Sequence, residues 1–509
     1  MNKKTTLSRT YLGAQKKLAP SLTRGPAGHF PERVVQFGEG NFLRGFADWM
    51  IDEVNSRGLF DGHVLIAQPI RHGMAAELNA QDGVYTLLMR GVQNNRVIEE
   101  RRIITASRRA VNPYDQWAEL VAAFRGSDLR FVVSNTTEAG ITYTAEPHVP
   151  GVCPESFPAK IAALLHERFL AVHGDPARGL VFLPCELIDR NGDNLRKTVL
   201  QHVQAWGLPL GFAAWVTQAN YFLNTLVDRI VPGYPKAEAE KLGKEFGYDD
   251  KLIVAAEYFH LWVIEGPKHI ADELPFTKAG LNVVWTDDMT PYRTRKVRVL
   301  NGAHTASVLA AFAAGIDTVR DMVADPVLGS FLRRAVFDEI LPFVALPDAE
   351  KLEYAESVME RFCNPFVRHE LLSISLNSVS KWKVRVLPSL LDYQKARGKV
   401  PPALALSLAA LIWFYRGEPV SKNELRGKRG ELPYPIRDDA HVLEFFAAVW
   451  KQAGAKGDWR ALTVATLTRT DFWGQDLTLV PGLADAIAHA LARMATGGVR
   501  AAVADLPQA

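Results

Sequence analysis

R-V-V-Q-F-G-E-G-N-F-L-R-G-F-A-D-W-M-I-D-E-V, residues 33–54, runs from a short apolar stretch through two glycines into a helix-like segment. The run 33–37 has the continuous apolar character of a strand buried on both faces. Gly38 and Gly40 follow at once, and a helical pattern opens at Asn41. That is the order in which a pyrophosphate meets backbone N–H groups at a helix N-terminus. Two glycines permit a tight turn and a close approach. The third glycine of such a fingerprint, which lets helix and strand pack closely, is replaced here by Leu43. The stretch therefore predicts a phosphate-binding turn at the start of an α/β domain.

Similar runs recur outward from it: H-V-L-I-A-Q (63–68), L-R-F-V-V-S (129–134) and L-V-F-L-P (180–184). Between them lie helical segments such as P-A-K-I-A-A-L-L-H-E-R-F (158–169). This alternation predicts a doubly wound parallel sheet. After residue 288 the strands stop, and the rest of the chain reads almost wholly helical, with prolines as punctuation. We expect a basic N-terminal extension (1–25), a dinucleotide-binding domain (26–287) and an all-helical domain (288–509), the last two meeting at D-D-M-T-P (287–291). Ligands of two-domain α/β enzymes usually lie in the cleft between domains, so the start of the helical domain is expected on the cleft side.

Composition fits this division. At 509 residues the chain is too long for one ordinary core. Its 48% hydrophobic and 23% charged residues are those of a globular protein. A net charge of +3 gives no reason to expect nucleic acid as a partner. The three cysteines, Cys153, Cys185 and Cys363, are far apart and lack metal-ligand spacing, which suits a reducing compartment and predicts no bound metal. The basic N-terminus has no apolar core or cleavage pattern, so no signal peptide is expected. The longest apolar stretch, 403–414, is too short to span a bilayer, which needs about 20 residues. It reads as a buried helix started by Pro401 and Pro402. These features together predict a cytoplasmic protein without membrane contact.

The second strand ends A-Q-P-I-R-H-G, with Gln68 and Arg71 where a ribose-binding carboxylate is expected. Arg71 is then either a surface residue or a partner for a 2′-phosphate. The stretch K-V-R-V-L-N-G-A-H-T, 296–305, raises a second question. On a regular helix Asn301 lies about 140° and His304 about 80° from Lys296, so all three share one half of the surface. Carbonyl chemistry needs a proton donor, a hydrogen bond to the oxygen and something to hold both. Lys296 can be the donor if desolvation lowers its pKa, Asn301 can polarise the oxygen, and His304 can orient it. Gly302 would let a ligand approach the backbone. The alternative is an amphipathic helix with a solvated lysine; Arg293, Arg295 and Arg298 read as a solvated face in either case.

On these motifs the chain resembles the long-chain polyol and mannitol-type dehydrogenases. Their signature K-x-x-x-x-N-x-x-H is matched by Lys296, Asn301 and His304, and their cofactor loop G-x-G-x-F-x-R by Gly38, Gly40, Phe42 and Arg44, with Asn41 inside it. V-D-R-I-x-P (227–232), T-E-x-G at 137–140, N-P (364–365) and S-K-W-K-V-R-V-L-P (380–388) also fit. The resemblance implies a Rossmann-type domain followed by an all-α domain, NAD as cofactor with NADH preferred, and Lys296 as general acid in reduction and base in oxidation. It implies that Asp228 and Lys381 hold substrate polar groups, with Lys383 competing for the matching position.

Q-F-G-E-G-N-F-L-R, S-N-T-T-E-A-G-I, P-C-E-L-I-D-R-N-G-D and G-P-K (266–268) resemble the branch of the family that acts on keto acids. NADH-linked reduction of D-tagaturonate to D-altronate in hexuronate breakdown is the expected reaction. Fructuronate, a neutral polyol, or a non-catalytic sugar or nucleotide sensor are the alternatives. Lys268 in G-P-K is a candidate partner for the substrate carboxylate; an ordinary loop with Lys268 in water is the other reading. One departure stands out: polyol members read S-C-D-N where this chain reads P-C-E-L (184–187), so Leu187 replaces a second amide on the reacting oxygen. Either Asn301 acts alone, or Asn191 substitutes, or a nearby side chain moves in. The chain is expected to act as a monomer or homo-oligomer.

Overall fold

The computed structural model describes residues 5–15 and 18–507. The chain divides into two compact units, one formed by the residues up to Gly91 with Val97–Met289, the other by Val92–Arg96 with the residues from Thr290 on.

The first unit is built on six parallel strands: β1 (Glu32–Phe37), β2 (His63–Ala67), β3 (Ser107–Val111), β4 (Phe131–Ser134), β5 (Val181–Pro184) and β6 (Tyr221–Phe222). Their order across the sheet is β3-β2-β1-β4-β5-β6, the doubly wound arrangement with its switch point between β1 and β4. Both faces are covered, which is why the strands read as continuous apolar runs. Val34 packs into the core on one face with Met50, Val64 and Phe131. Its neighbour Val35 packs into the other with Leu65, Trp117 and Val132.

The segment expected as an N-terminal extension is, where described, folded onto this unit. Leu7, Leu12 and Leu22 are buried among Val84, Leu88, Ile103 and Tyr248. Arg9 donates to the carbonyls of Thr105 and Ser107 at 2.8 and 2.6 Å.

The second unit is helical with one addition that periodicity did not indicate. Gly417–Ser421, Glu424–Arg429 and Leu432–Ile436 form a small antiparallel sheet. These strands are short, polar and rich in glycine and proline, so they lack the apolar alternation that marks a half-buried strand. The apolar helix Pro402–Phe414 is buried almost all round, as expected, with Pro402 in its first turn. Its N-terminal amides Ala403 N and Leu404 N both donate to the buried carboxylate of Glu339, each at 2.9 Å. No helix among the described residues is long and apolar enough to cross a membrane.

Candidate functional site

In the first unit, Gly38 has φ +129°, a conformation open to glycine. Its N–H donates to Ala67 O at 3.1 Å, tying the turn to the end of β2. A Cβ on Gly40 would meet nothing within 4 Å, so the backbone there lies open to a ligand. These features fit a pyrophosphate cradle. The helix that comes next is only one turn, Asn41–Arg44. Leu43, in the place of the third glycine, is buried in the core. The close-packing role falls instead to Gly45, where a Cβ would lie 3.2 Å from Val254 and 3.3 Å from Val231.

Arg44 does not face this opening. It is buried, with its guanidinium donating to Glu39 O, Leu252 O and Asn41 Oδ1 at 3.0, 2.6 and 2.9 Å and lying over the Tyr85 ring. Arg44 therefore braces the loop. Asn41, held by that bond, packs its amide against Gly233. Phe42 stacks on Phe46 at 5.1 Å.

A carboxylate from another element lies near the end of β2. The buried Glu39 carboxylate reaches across from the glycine loop, so close to Gly73 and the Gln68 side chain that a Cβ on Gly73 would collide with it. Burial pushes its pKa up. Beside it opens a cavity of about 410 Å³ lined by Gln68, Arg71, His72, Asn79, Asn112 and Asp115. Arg71 is ion-paired with Glu155 and lies over the Tyr114 ring at 4.4 Å.

Asn191 does not substitute for the missing amide. It is buried, its Nδ2 donates to the carbonyls of Pro184, Glu186 and Thr225, and its Oδ1 accepts from Gly192 N and Thr225 N. Leu187 is 65% exposed. Glu186 is buried and accepts from Ser134 Oγ, Thr136 N and Thr136 Oγ1. P-C-E-L is thus a structural corner. Asp228 ends the strand Asn224–Asp228 and is buried, and the next residue, Arg229, donates to Glu257 O and Gly45 O. Lys268 is exposed at the start of a six-residue helix, Lys268–Glu273.

In the second unit, Thr290–Arg295 and Gly302–Ala313 are α-helical and Lys296–Asn301 between them is π-helical. An i→i+5 turn stacks residues five apart, as an i→i+4 turn stacks residues four apart. It therefore carries Asn301 back over Lys296, closer than the regular helix assumed from the sequence. Lys296, Asn301 and His304 are all half-buried. The Asn301 side-chain amide makes no hydrogen bond among the described residues; its backbone carbonyl accepts from Thr305 Oγ1 at 2.9 Å.

His304 stacks on Phe362 at 4.2 Å and meets the edge of His369 at 5.2 Å. Its Nε2 is shielded from solvent and unpartnered among the described residues. Burial, reinforced by the like charges of His369, Arg361 and Arg385, holds its pKa well below the usual value. It is neutral, and can donate from one nitrogen and accept at the other.

Neighbouring residues differ from expectation. Arg295 is buried against Glu350 at 3.2 Å and over Tyr354, and Arg298 pairs with Asp392, so these two are anchors of the helix. Gly302 admits not a ligand but another segment: a Cβ there would lie 3.2 Å from Arg385 O. Lys381 donates to Ile374 O at 3.0 Å, and burial lowers its pKa. On the helix Ser378–Arg385 it shares a face with Arg385, four residues on. Lys383 lies instead near Gly474.

A glycine-loop parallel sheet followed by a helical unit with a lysine, an amide and a neutral imidazole on one face defines a dehydrogenase architecture. The mannitol dehydrogenase Rossmann domain matches residues 32–278 and the mannitol dehydrogenase C-terminal domain residues 288–495, and the chain belongs to this family. It is similar to an altronate oxidoreductase of Yersinia enterocolitica, 44% identical over 94% of this chain and 98% of the relative. An altronate oxidoreductase of Pectobacterium carotovorum is 45% identical over 94% of this chain and 97% of its own. Among solved structures, a D-sorbitol dehydrogenase superposes with a TM-score of 0.78 at 21% identity, over 98% of this chain and 100% of that one. The Pseudomonas fluorescens mannitol 2-dehydrogenase complex with NAD and D-mannitol gives 0.67 at 23%, over 98% and 99%. These two show the shared fold.

Proposed function

We propose that this chain is an NADH-dependent oxidoreductase that interconverts D-tagaturonate and D-altronate. The observation that carries the substrate is the similarity to altronate oxidoreductases at 44–45% identity over nearly the whole chain. The helix that presents Lys296, Asn301 and His304 supports the chemistry.

When bound, a reduced nicotinamide would supply the hydride, and Gly38, Gly40 and Asn41 would hold its pyrophosphate. The Glu39 carboxylate, which reaches from the glycine loop to Gln68, and the engagement of Arg71 by Glu155 both disfavour a 2′-phosphate there, which supports NADH over NADPH. As the keto carbon accepts the hydride, negative charge grows on its oxygen. The Asn301 amide donates a hydrogen bond to that oxygen, and the Lys296 ammonium gives up a proton to it. The neutral His304 holds oxygen and lysine in register without placing a second cation beside the ammonium. In oxidation Lys296 accepts the alcohol proton. Asp228 and Lys381 position substrate hydroxyls. Leu187 cannot donate and Asn191 is engaged by its neighbours, which supports Asn301 as the amide on that oxygen. The enzyme works on a free sugar acid in the cytoplasm.

Oxidation of NADH and NADPH against tagaturonate, fructuronate and fructose, with mannitol in the reverse direction, tests this. The highest kcat/KM is expected for NADH with tagaturonate. A higher value for fructuronate would transfer the assignment to that substrate. A clear NADPH preference would make Arg71 the determinant, and no turnover with any keto acid would mark a sensor.

A further inference from the structure

In the second unit the arginines of known partnership are matched to carboxylates: Arg295 with Glu350, Arg298 with Asp392, Arg333 with Glu356, Arg429 with Asp317 and Arg500 with Asp325. Arg385 is different. It is half-buried, and its one hydrogen bond among the described residues runs from Nη1 to the neutral hydroxyl of Thr305 at 3.3 Å. Burial lowers its pKa, and no acidic neighbour among the described residues raises it. Removing a guanidinium from water without a counter-ion is costly, so such a group marks a place where an anion is received.

Its position is specific. Thr305 follows His304, and the Arg385 carbonyl lies against Gly302, which follows Asn301. Lys381, one turn earlier on the same helix face, adds a second cation. Because Nη1 is engaged by Thr305, the Nε–Nη2 edge remains, and that edge matches both oxygens of a carboxylate. Lys268, the other candidate for this role, belongs to the first unit and is a solvated point charge there.

We propose that Arg385 binds the carboxylate of the sugar acid and thereby selects hexuronate-derived keto acids over neutral ketoses. The assignment rests on Lys296, Asn301 and His304 being the reaction centre. It requires no conformational change in the helix that carries them, because Thr305 already fixes the guanidinium beside His304.

The test compares D-altronate with its uncharged counterpart D-altritol, by calorimetric binding to wild type, Arg385→Met, Arg385→Lys and Lys268→Met. Arg385→Met is expected to weaken altronate about ten- to a hundredfold, the range of a charge-assisted hydrogen bond, and altritol less than about threefold. Arg385→Lys keeps the charge but loses the fork, so a smaller loss confined to altronate is expected. It decides the matter if the Met variant does not fold by circular dichroism. Equal losses for the two ligands, no loss, a charge-selective loss at Lys268 alone, or a wild type that binds altronate no better than altritol would each overturn the proposal. Failure of wild type to oxidise NADH with tagaturonate would sink the proposed reaction, while the altronate–altritol comparison still decides Arg385.

Discussion

Lys296 stands at the first position of the π-turn, half-buried, with Asn301 one π-turn on and a neutral His304 beyond. A positioned acid–base group contributes at least about a hundredfold to rate. Lys296→Ala should therefore lower kcat by about that factor or more. NADH affinity should be nearly unchanged in fluorescence titration, because the proposed cofactor loop lies elsewhere in the chain. Retention of more than a third of wild-type turnover at every pH would remove Lys296 from the mechanism. At this scale the sequence offers what the chemistry dictates by residue type, a proton donor, an amide and an imidazole in fixed order. Burial is what the letters do not show. Arg44 and Asn191 look like ligand groups as letters, yet both have their donors engaged inside the first unit. Arg385 was missed, although the i, i+4 spacing of Lys381 and Arg385 in S-K-W-K-V-R offered a signal.

At the scale of elements, the π-turn and the helix Ser378–Arg385 act as a pair, joined by the contact of Gly302 with the Arg385 carbonyl. A π-insertion leaves no mark on hydrophobic periodicity, so a regular helix was the natural expectation and Asn301 was placed too far round. Gly302→Ala isolates the pairing. Alanine gains about 1 kcal/mol of helix propensity over glycine. Its Cβ, however, would sit 3.2 Å from Arg385 O, so the neighbouring helix must give by a fraction of an ångström. Misplacement by 1 Å can cost about a hundredfold in rate, and a smaller shift should cost roughly tenfold or less. The expected result is a melting temperature at or above wild type with kcat/KM for tagaturonate reduced several-fold. Full activity with unchanged stability would show that the two helices have slack and that the glycine serves neither.

For the whole molecule, the fold was readable because a sheet covered on both faces forces continuous apolar strands, and Val34 and Val35 show it by entering opposite cores. The small sheet 417–436 was not, because its strands carry polar residues on exposed faces. Global stability holds another consequence that letters cannot show. His202 is fully buried beside Tyr143 and Trp206, with both ring nitrogens unpartnered among the described residues. Burial lowers its pKa, outweighing the opposite pull of Glu146. In the unfolded chain the same imidazole titrates near about 6.5. The folded state therefore binds the proton less readily, and the group's contribution, complete above about pH 6.5, is lost as pH falls below that value. Buried carboxylates such as Asp48, raised to about 7, work in the opposite direction, so the pH dependence of wild type alone would not isolate His202. A difference does. His202→Phe keeps an aromatic ring and removes both the unsatisfied nitrogens and the titration, while every carboxylate term cancels in the comparison. The variant should match or exceed wild type in urea unfolding at pH 7.5. Its advantage should grow by up to about 1.4 kcal/mol for each pH unit below 6.5. A constant difference from pH 7.5 to 5 would mean that the imidazole is protonated equally in both states, and an advantage that shrinks as pH falls from 7.5 would mean that it is charged in the fold.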